Sequence, residues 1–141
     1  MHSLHFSEAE LACHHCGVNA CQQVLVDSLE ALRVAVGVPV TIDDAYRCAV
    51  HNAAVGGVPH SQHELGMAAD IKIQGMTPAQ MYKAALRIPA FAAGGIGVAE
   101  HGGYIHVDVR GAWGTPEARW CYGANGQQCA WDPKLDLQVA A

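Results

Sequence analysis

The chain has 141 residues, of which 51% are hydrophobic and 15% are charged, and its formal net charge is −5. These values predict a single globular domain over residues 1–141 and exclude an intrinsically disordered chain. The negative charge argues against a nucleic-acid partner, which would favour a basic face, and no apolar stretch has the length of a membrane span.

The first half of the chain predicts one long helix, one strand and one short helix. Asn19 is the candidate N-cap of the long helix, apolar residues recur at helical spacing up to Val36, and Gly37 ends it. The predicted elements are an irregular segment at 6–17, a helix at 19–36, a strand at 38–42, a short helix at 48–54 and a Gly/Pro loop at 55–60.

The second half predicts a helix between β-rich segments. Thr77 and Gln80 form a capping box with Pro78 at the first helical position. Because strands and helices do not alternate regularly, we predict an α+β fold with a central antiparallel sheet flanked by helices. The predicted elements are a strand at 69–73, a helix at 78–87, a hairpin of strands at 96–99 and 104–109, and a loop-rich, cysteine-containing tail at 114–141.

Two histidines and one aspartate form the most informative pattern in the chain. His63 and Asp70 lie in one short segment, where Gly66 allows a turn between them, and His106 lies in a distant β-rich segment. Two imidazoles and one carboxylate are a ligand set typical of catalytic zinc, which keeps its fourth position open for water. We therefore predict that His63, Asp70 and His106 bind one zinc ion.

A longer set of residues surrounds this ligand pattern. It comprises Tyr46-Arg47-Cys48, His51-Asn52, Val55-Gly56-Gly57, Ser61-Gln62-His63, Gly66, Ala68-Ala69-Asp70-Ile71, Gly94-Gly95-Ile96-Gly97-Val98 and Ile105-His106-Val107-Asp108-Val109-Arg110-Gly111. In combination these motifs resemble the M15 family of zinc peptidases, and the similarity covers about residues 6–113. That family contains D-alanyl-D-alanine carboxypeptidases, dipeptidases and phage endolysins, which cut peptidoglycan stem peptides.

The resemblance implies both a fold and an activity. The fold is that of hedgehog and DD-peptidase domains, with a core at about 6–113. The activity is zinc-dependent hydrolysis of peptidoglycan stem peptides, with D,D- or L,D-specificity, as a carboxypeptidase or an endopeptidase. In the related hedgehog domain the metal site need not be catalytic, so the alternative is a zinc-stabilised binding or structural module without turnover.

A general base is needed to accept the proton of the attacking water. Many relatives carry a carboxylate three residues before the last histidine ligand, but Gly103 occupies that position here. Glu100 lies where hedgehog-like relatives carry their water-contacting glutamate. Asp108 is the competitor, because residues two apart on a strand share a face and it therefore lies beside His106. Its other interpretation is a carboxylate that orients the histidine.

Three residues are candidates for binding substrate, all by resemblance. Arg47 stands where the family's Tyr-Arg motif supplies a guanidinium, which suits a substrate carboxylate or a developing oxyanion. Ser61 matches a serine that contacts substrate in relatives, although a loop-capping role also fits it. Tyr104 replaces a histidine of several relatives, and either bonds to the reacting centre or packs.

The six cysteines suggest a structural role and not catalysis. Cys121 and Cys129 flank a turn and predict a hairpin or loop that a disulfide could close. Cys13, Cys16 and Cys21 have spacing typical of a second, structural zinc site, or else form disulfides, with Cys48 as a partner.

The amino terminus has no basic region followed by an apolar run, so we expect no secretory signal. We accordingly expect synthesis in the cytoplasm and action in the periplasm or cell wall after release or delivery. The family resemblance implies a peptidoglycan peptide as the partner, and a phage lysis enzyme or a component of a virion or injection device as the context.

Overall fold

One mixed sheet organises the molecule. The computed structural model describes residues 2–137, whose strands are β1 (Val40–Asp44), β2 (Ala68–Ile73), β3 (Gly95–Ala99), β4 (Tyr104–Asp108), β5 (Ala118–Tyr122) and β6 (Gln128–Cys129). They lie in the order β1-β2-β4-β3-β5-β6. Each pairing is antiparallel except that of β3 with β5, which is parallel. The α+β class is confirmed, whereas the predicted antiparallel sheet is in fact mixed.

The helices begin and end close to their sequence signals. They are α1 (Glu8–Leu11), α2 (Gln23–Val36), α3 (Ala49–Ala54), α4 (Pro78–Leu86), α5 (Pro89–Ala92) and α6 (Lys134–Leu137), with a 3₁₀ turn at Arg110–Trp113. The Thr77–Gln80 capping box of α4 is present, and Gly37 ends α2 as predicted. Helix α2 begins four residues later than expected, because the Asn19 side chain accepts a hydrogen bond from the Cys21 N–H (3.0 Å) and stabilises a turn instead.

The apolar core lies on one face of the sheet, and α4 contacts β2, β3 and β4. Ile96 and Val98 of β3 pair with Val107 and Ile105 of β4, and all four are fully buried. Burying each such side chain stabilises the fold by about 1.5–3 kcal/mol. Since side chains alternate between the two faces of a strand, this core fixes which residues point to the other face.

The segment after Trp113 contributes two strands, where the sequence predicted loops. Strand β5 joins the sheet beside β3, and its parallel pairing aligns Gly97 with Trp120. Strand β6 then folds back on β5 as a short hairpin. Among the described residues, no helix has the length and apolar character required to cross a membrane.

Candidate metal centre and cleft

The face of the sheet opposite the core carries a row of polar and aromatic positions. Asp44 of β1 pairs with Asp70 of β2, and Asp70 pairs with His106 of β4. The row continues from His106 to Gly97 of β3 and on to Trp120 of β5. Residues far apart in the chain therefore reach one face through strand register alone.

His63, Asp70 and His106 converge at this row. The Nε2 atom of His63 lies 3.2 Å from Oδ1 of Asp70, and Nδ1 of His106 lies 3.4 Å from the same oxygen. One ligand atom from each residue lies within 4.8 Å of the other two. Both histidines are buried, so these polar groups must satisfy one another or a bound ion.

The hydrogen bonds of the two histidines orient lone pairs toward a common point. The Nδ1–H of His63 donates to the Ala45 carbonyl (2.8 Å), and the Nε2–H of His106 donates to Oδ2 of Asp108 (2.8 Å). In neutral rings, His63 Nε2 and His106 Nδ1 then carry lone pairs and face Asp70 Oδ1, which is also an acceptor. Three acceptors so close repel one another unless a proton or a metal cation lies between them, and this donor set fits zinc.

Asp108 is fully buried and its oxygens are occupied by donors. Besides His106, Oδ1 accepts from the Gly95 N–H (2.8 Å) and Oδ2 from Nη2 of Arg110 (2.8 Å). Burial favours a higher pKa for Asp108, but the bonds to His106 and Arg110 hold its pKa well below the usual range. The carboxylate thus fixes the tautomer and orientation of His106, as partners of metal-binding histidines commonly do.

The converging atoms open into a cleft of about 640 Å³. One wall is aromatic: the rings of His106 and Trp120 have centroids 5.0 Å apart, and Tyr104 and Tyr122 lie 5.7 Å apart. Gly97 makes room for this wall, because a Cβ there would collide with the Trp120 indole. The opposite wall is the loop at 55–62, and residues 126–128 of the β5–β6 hairpin form a rim.

Comparison with known protein families matches residues 4–108 to Peptidase M15. The chain belongs to this family. No curated protein matches it. Membership supports a metallopeptidase, and the family is zinc-dependent, which agrees with the cation demanded by His63, Asp70 and His106. The chain is therefore a metal-binding hydrolase of the M15 class, with this triad as its candidate metal centre.

Arg47 of the M15 peptidase lies at the edge of the metal centre. Its Nη2 donates to Oδ2 of Asp70 (3.2 Å), the oxygen that faces away from the histidines, and its Nη1 donates to Oδ1 of Asn52 (3.2 Å). Its Nε donates to Asp44. The predicted substrate-binding guanidinium thus lines the cleft but is already engaged by three side chains. It orients Asp70. Burial favours a higher pKa for Asp70, but the contacts to His63 and His106 hold its pKa well below the usual range.

Ser61 lines the cleft and stabilises its loop. The Ser61 hydroxyl donates to Oδ1 of Asn52 (2.8 Å) and accepts from the Glu64 N–H (3.3 Å). The Asn52 amide in turn donates to the Val58 carbonyl (2.7 Å). This is the geometry of the loop-capping interpretation, and substrate contact by Ser61 stays a prediction.

The two remaining predicted site residues, Tyr104 and Glu100, line different cavities. Tyr104 is half-buried in the cleft wall, and burial, followed by the Asp70 charge, raises its pKa, so the phenol keeps its proton. Glu100 is exposed and lines a smaller cavity with Cys121 and Cys129. It lies in the turn that follows β3, outside the strand. Glu100 is therefore absent from the described residues that line the cleft.

The cysteines group differently from the predicted set. The sulfurs of Cys13, Cys16 and Cys48 lie within 4.8 Å of one another; we call these three residues the cysteine cluster. Cys21, predicted to belong to it, is buried and donates to the Leu11 carbonyl (3.5 Å), because the turn at Asn19 directs it into the core. Burial raises the pKa of the Cys21 thiol to about 11.

The remaining observations concern the thiol of Cys13 and the pair Cys121 and Cys129. Burial favours a higher pKa for Cys13, but N–H groups of Cys48, Cys16 and His15 lower the pKa to about 7. Cys121 and Cys129 are directly opposite in β5 and β6, so the predicted hairpin is confirmed, although both thiols are free.

Asp44 and Trp120 lie in the site but were not assigned to it from the sequence. Asp44 had a local signal, because it lies three residues before Arg47 and binds it. Trp120 had none beyond its aromaticity, since its place beside His106 depends on the parallel pairing of β5 with β3.

Proposed function

We propose that this M15 peptidase uses zinc at His63, Asp70 and His106 to hydrolyse peptide bonds in peptidoglycan stem peptides. The observation that supports it most is the convergence of three acceptor atoms in a buried site that opens into a peptide-sized cleft. When bound, zinc supplies a Lewis acid that polarises a carbonyl and lowers the pKa of water to about 7.

The surrounding residues orient this site. Asp108 keeps Nδ1 of His106 free to bind metal by holding Nε2, and Arg47 keeps Oδ1 of Asp70 free by holding Oδ2. Tyr104 retains its phenolic proton in the cleft wall, so it can donate a hydrogen bond to the oxyanion that develops on a cleaved amide. The contacts of Asp108 and Arg47 exist before substrate binds, which lowers the cost of organising the site.

Hydrolysis also needs a group that accepts the proton of the attacking water. Among the described residues that line the cleft, Asp70 is the sole carboxylate, and it is committed to the metal. His60 also lines the cleft, and imidazole is the commonest proton acceptor in enzymes. We therefore propose His60 ahead of Glu100 and Asp108 for this role, because Glu100 borders the other cavity and the oxygens of Asp108 are occupied.

The substrate is proposed from the family resemblance and the cleft. The cleft is lined by side-chain donors such as Arg47 and Ser61 and by aromatic rings, which suit a short peptide with a carboxylate, such as a D-alanine-containing stem peptide. We propose delivery to the periplasm or cell wall by phage release or by a virion or injection device. We also propose that residues 1–141 form a single domain.

The alternative is a zinc-stabilised module of the same fold without turnover. The specific observation that favours it is the lack of a second carboxylate among the described cleft residues. It predicts tight zinc binding without hydrolysis.

Digestion of purified sacculi separates the two. Sacculi are incubated with wild-type protein, with protein stripped by a chelator, with stripped protein reloaded with zinc, and with the variant His106→Ala. New amino groups and released peptides are then measured. The peptidase predicts release that a chelator abolishes, zinc restores and His106→Ala lacks. Zinc-loaded wild-type protein that releases nothing supports the module and contradicts the peptidase. Mass spectrometry of the products distinguishes loss of single D-alanine residues from internal cleavage.

A further inference from the structure

The cysteine cluster joins two segments that are distant in the chain. Cys13 and Cys16 lie in the loop after α1, and Cys48 is the N-cap residue of α3. Their sulfurs lie within 4.8 Å of one another. Three thiolates around a tetrahedral zinc, each at about 2.3 Å, have sulfurs roughly 3.8 Å apart. We propose that Cys13, Cys16 and Cys48 bind a second, structural zinc ion that ties the amino-terminal segment to the turn carrying Arg47.

The backbone around Cys13 is folded as a metal-binding turn. The N–H groups of His15 and Cys48 both point to the Cys13 sulfur at 3.4 Å, and the His51 N–H points to the Cys48 sulfur at 3.5 Å. The turn closes with a bond from the Gly17 N–H to the Cys13 carbonyl (2.9 Å), and Gly17 has a φ of 74°, which glycine adopts without strain. N–H groups directed at sulfur stabilise the thiolate form that metals require.

A fourth ligand is within reach. Nδ1 of His15 lies 3.5 Å from the Cys48 sulfur. Structural zinc sites are closed by four protein ligands, and three cysteines with one histidine are a common set. We therefore assign His15 as the fourth ligand. This set is rich in sulfur, whereas the cleft set contains none, so the two sites differ in their spectra.

Two competing arrangements make different predictions. A disulfide among three thiols leaves one thiol over and removes the acceptor charge that the N–H groups stabilise. A neighbouring set, His14, Asp44 and His51, also has ligand atoms within 4.8 Å of one another, and could take a metal without sulfur. Asp44 binds Arg47 through Oδ2, and a metal held by this set would have no sulfur ligand, so cobalt spectra distinguish it from the cysteine cluster.

The site would stabilise the cleft from outside. Cys48 follows Arg47 directly and begins α3, which carries Asn52. Arg47 and Asn52 bind each other, and Arg47 binds Asp70. A zinc ion at Cys48 therefore anchors Arg47 and Asn52, and Arg47 orients the metal-binding carboxylate of Asp70. This inference concerns metal binding, and it stands whether or not the protein hydrolyses peptides.

The test is metal content and cobalt spectroscopy on the reduced full-length protein. We expect about two zinc atoms per chain. His63→Ala should lose one of them, while Cys16→Ser should lose the other, and Cys129→Ser, a cysteine outside both sites, should keep both. Cobalt-substituted wild-type protein should have an intense sulfur-to-cobalt charge-transfer band. That band should persist in His63→Ala and weaken strongly in Cys16→Ser.

Four results would overturn the proposal. The first is a single zinc atom that His63→Ala removes. The second is a wild-type cobalt spectrum without a sulfur band, a measurement that needs no variant to fold. The third is a second zinc atom that His14→Ala removes and Cys16→Ser retains. Peptide mapping that finds a disulfide within the cysteine cluster in freshly reduced, zinc-loaded protein would contradict it as well.

Discussion

The cleft triad and the cysteine cluster are two groups of metal-type ligands that the fold builds differently. Asp70 and His106 are direct partners on neighbouring strands, and both are buried beside a fully packed core. Cys13 and Cys16 lie in a loop, and Cys48 begins a short helix. Strand register and the core therefore organise the first group without metal, whereas the second joins a loop to the start of a helix, where the Cys48 N–H donates to the Cys13 sulfur. We infer that zinc adds chemistry to the cleft and stability to the cysteine cluster.

Removing a cleft ligand should have the largest effect. Asp70→Ala deletes one of three metal-binding atoms and also leaves Nη2 of Arg47 without its acceptor, so we expect hydrolysis to fall to the uncatalysed background. The cysteine-cluster zinc should remain, because the two sites share no ligand. Zinc content and sacculus digestion on the same sample measure both. Loss of both zinc atoms in a folded Asp70→Ala protein would mean that the two groups are not independent.

Replacing Arg47 should affect catalysis more than folding. Arg47→Ala leaves Oδ2 of Asp70 without its donor, and we expect kcat/KM to fall by roughly 10²-fold. Arg47→Lys should recover only part of this loss, since one ammonium cannot reproduce the three-way contact of the guanidinium. The exposed Arg87 offers a matched control. Equal losses for Arg47→Ala and Arg87→Ala would contradict a specific role.

Replacing Asp108 tests whether the His106 ligand is oriented before metal binds. Asp108→Asn removes the negative charge that orients His106, so zinc affinity should fall by about 10- to 100-fold. Competition with a chelator of known affinity measures it, and the exposed Asp27→Asn serves as the control. Affinity unchanged in Asp108→Asn would show that strand register alone positions the ligand.

The proton acceptor is a sharper question within the cleft. Glu100→Gln should retain most of the wild-type turnover, because Glu100 lines the smaller cavity, whereas His60→Ala should lower kcat by about 10²-fold. Turnover of zinc-loaded variants on sacculi measures the difference. If Glu100→Gln loses activity and His60→Ala does not, the glutamate swings into the cleft and our assignment of His60 is wrong.

The smallest expected effect concerns the amino-terminal segment that precedes the cysteine cluster. Glu30 of α2 accepts bonds from the Ser3 hydroxyl (2.7 Å) and the His5 N–H (2.9 Å). Burial favours a higher pKa, but these bonds and the His5 ring lower the pKa of Glu30 from its ordinary 4.5 to about 2. The contribution to stability is therefore present above pH 4.5 and lost as pH falls toward 2.

Glu30→Gln should accordingly lower the free energy of unfolding by about 1 kcal/mol at pH 7. The difference should shrink as the pH falls toward 2, because the wild-type carboxyl becomes protonated as well. Denaturant unfolding at both pH values measures it. A difference that persists unchanged at low pH would mean that the carboxylate charge is not its cause.

Local patterns predicted the local parts of this structure. The Thr77–Gln80 capping box, Gly37 and the β3–β4 hairpin were recognisable because their signals lie within a few residues. The residues of the metal triad were recognisable from ligand chemistry and family resemblance. The parallel pairing of β5 with β3 was not, since it depends on contacts between residues about twenty apart, and Trp120 was missed with it. Cys48 takes the place in the cysteine cluster that was predicted for Cys21. A turn at Asn19 directs Cys21 into the core instead.

A crystal structure of the zinc-loaded protein, with anomalous data collected at the zinc absorption edge, would locate the catalytic zinc ion. We expect an anomalous peak bound by Nε2 of His63, Oδ1 of Asp70 and Nδ1 of His106, with its remaining position open to the cleft. A peak closed by a fourth protein ligand, or no peak at this site, would contradict the hydrolase.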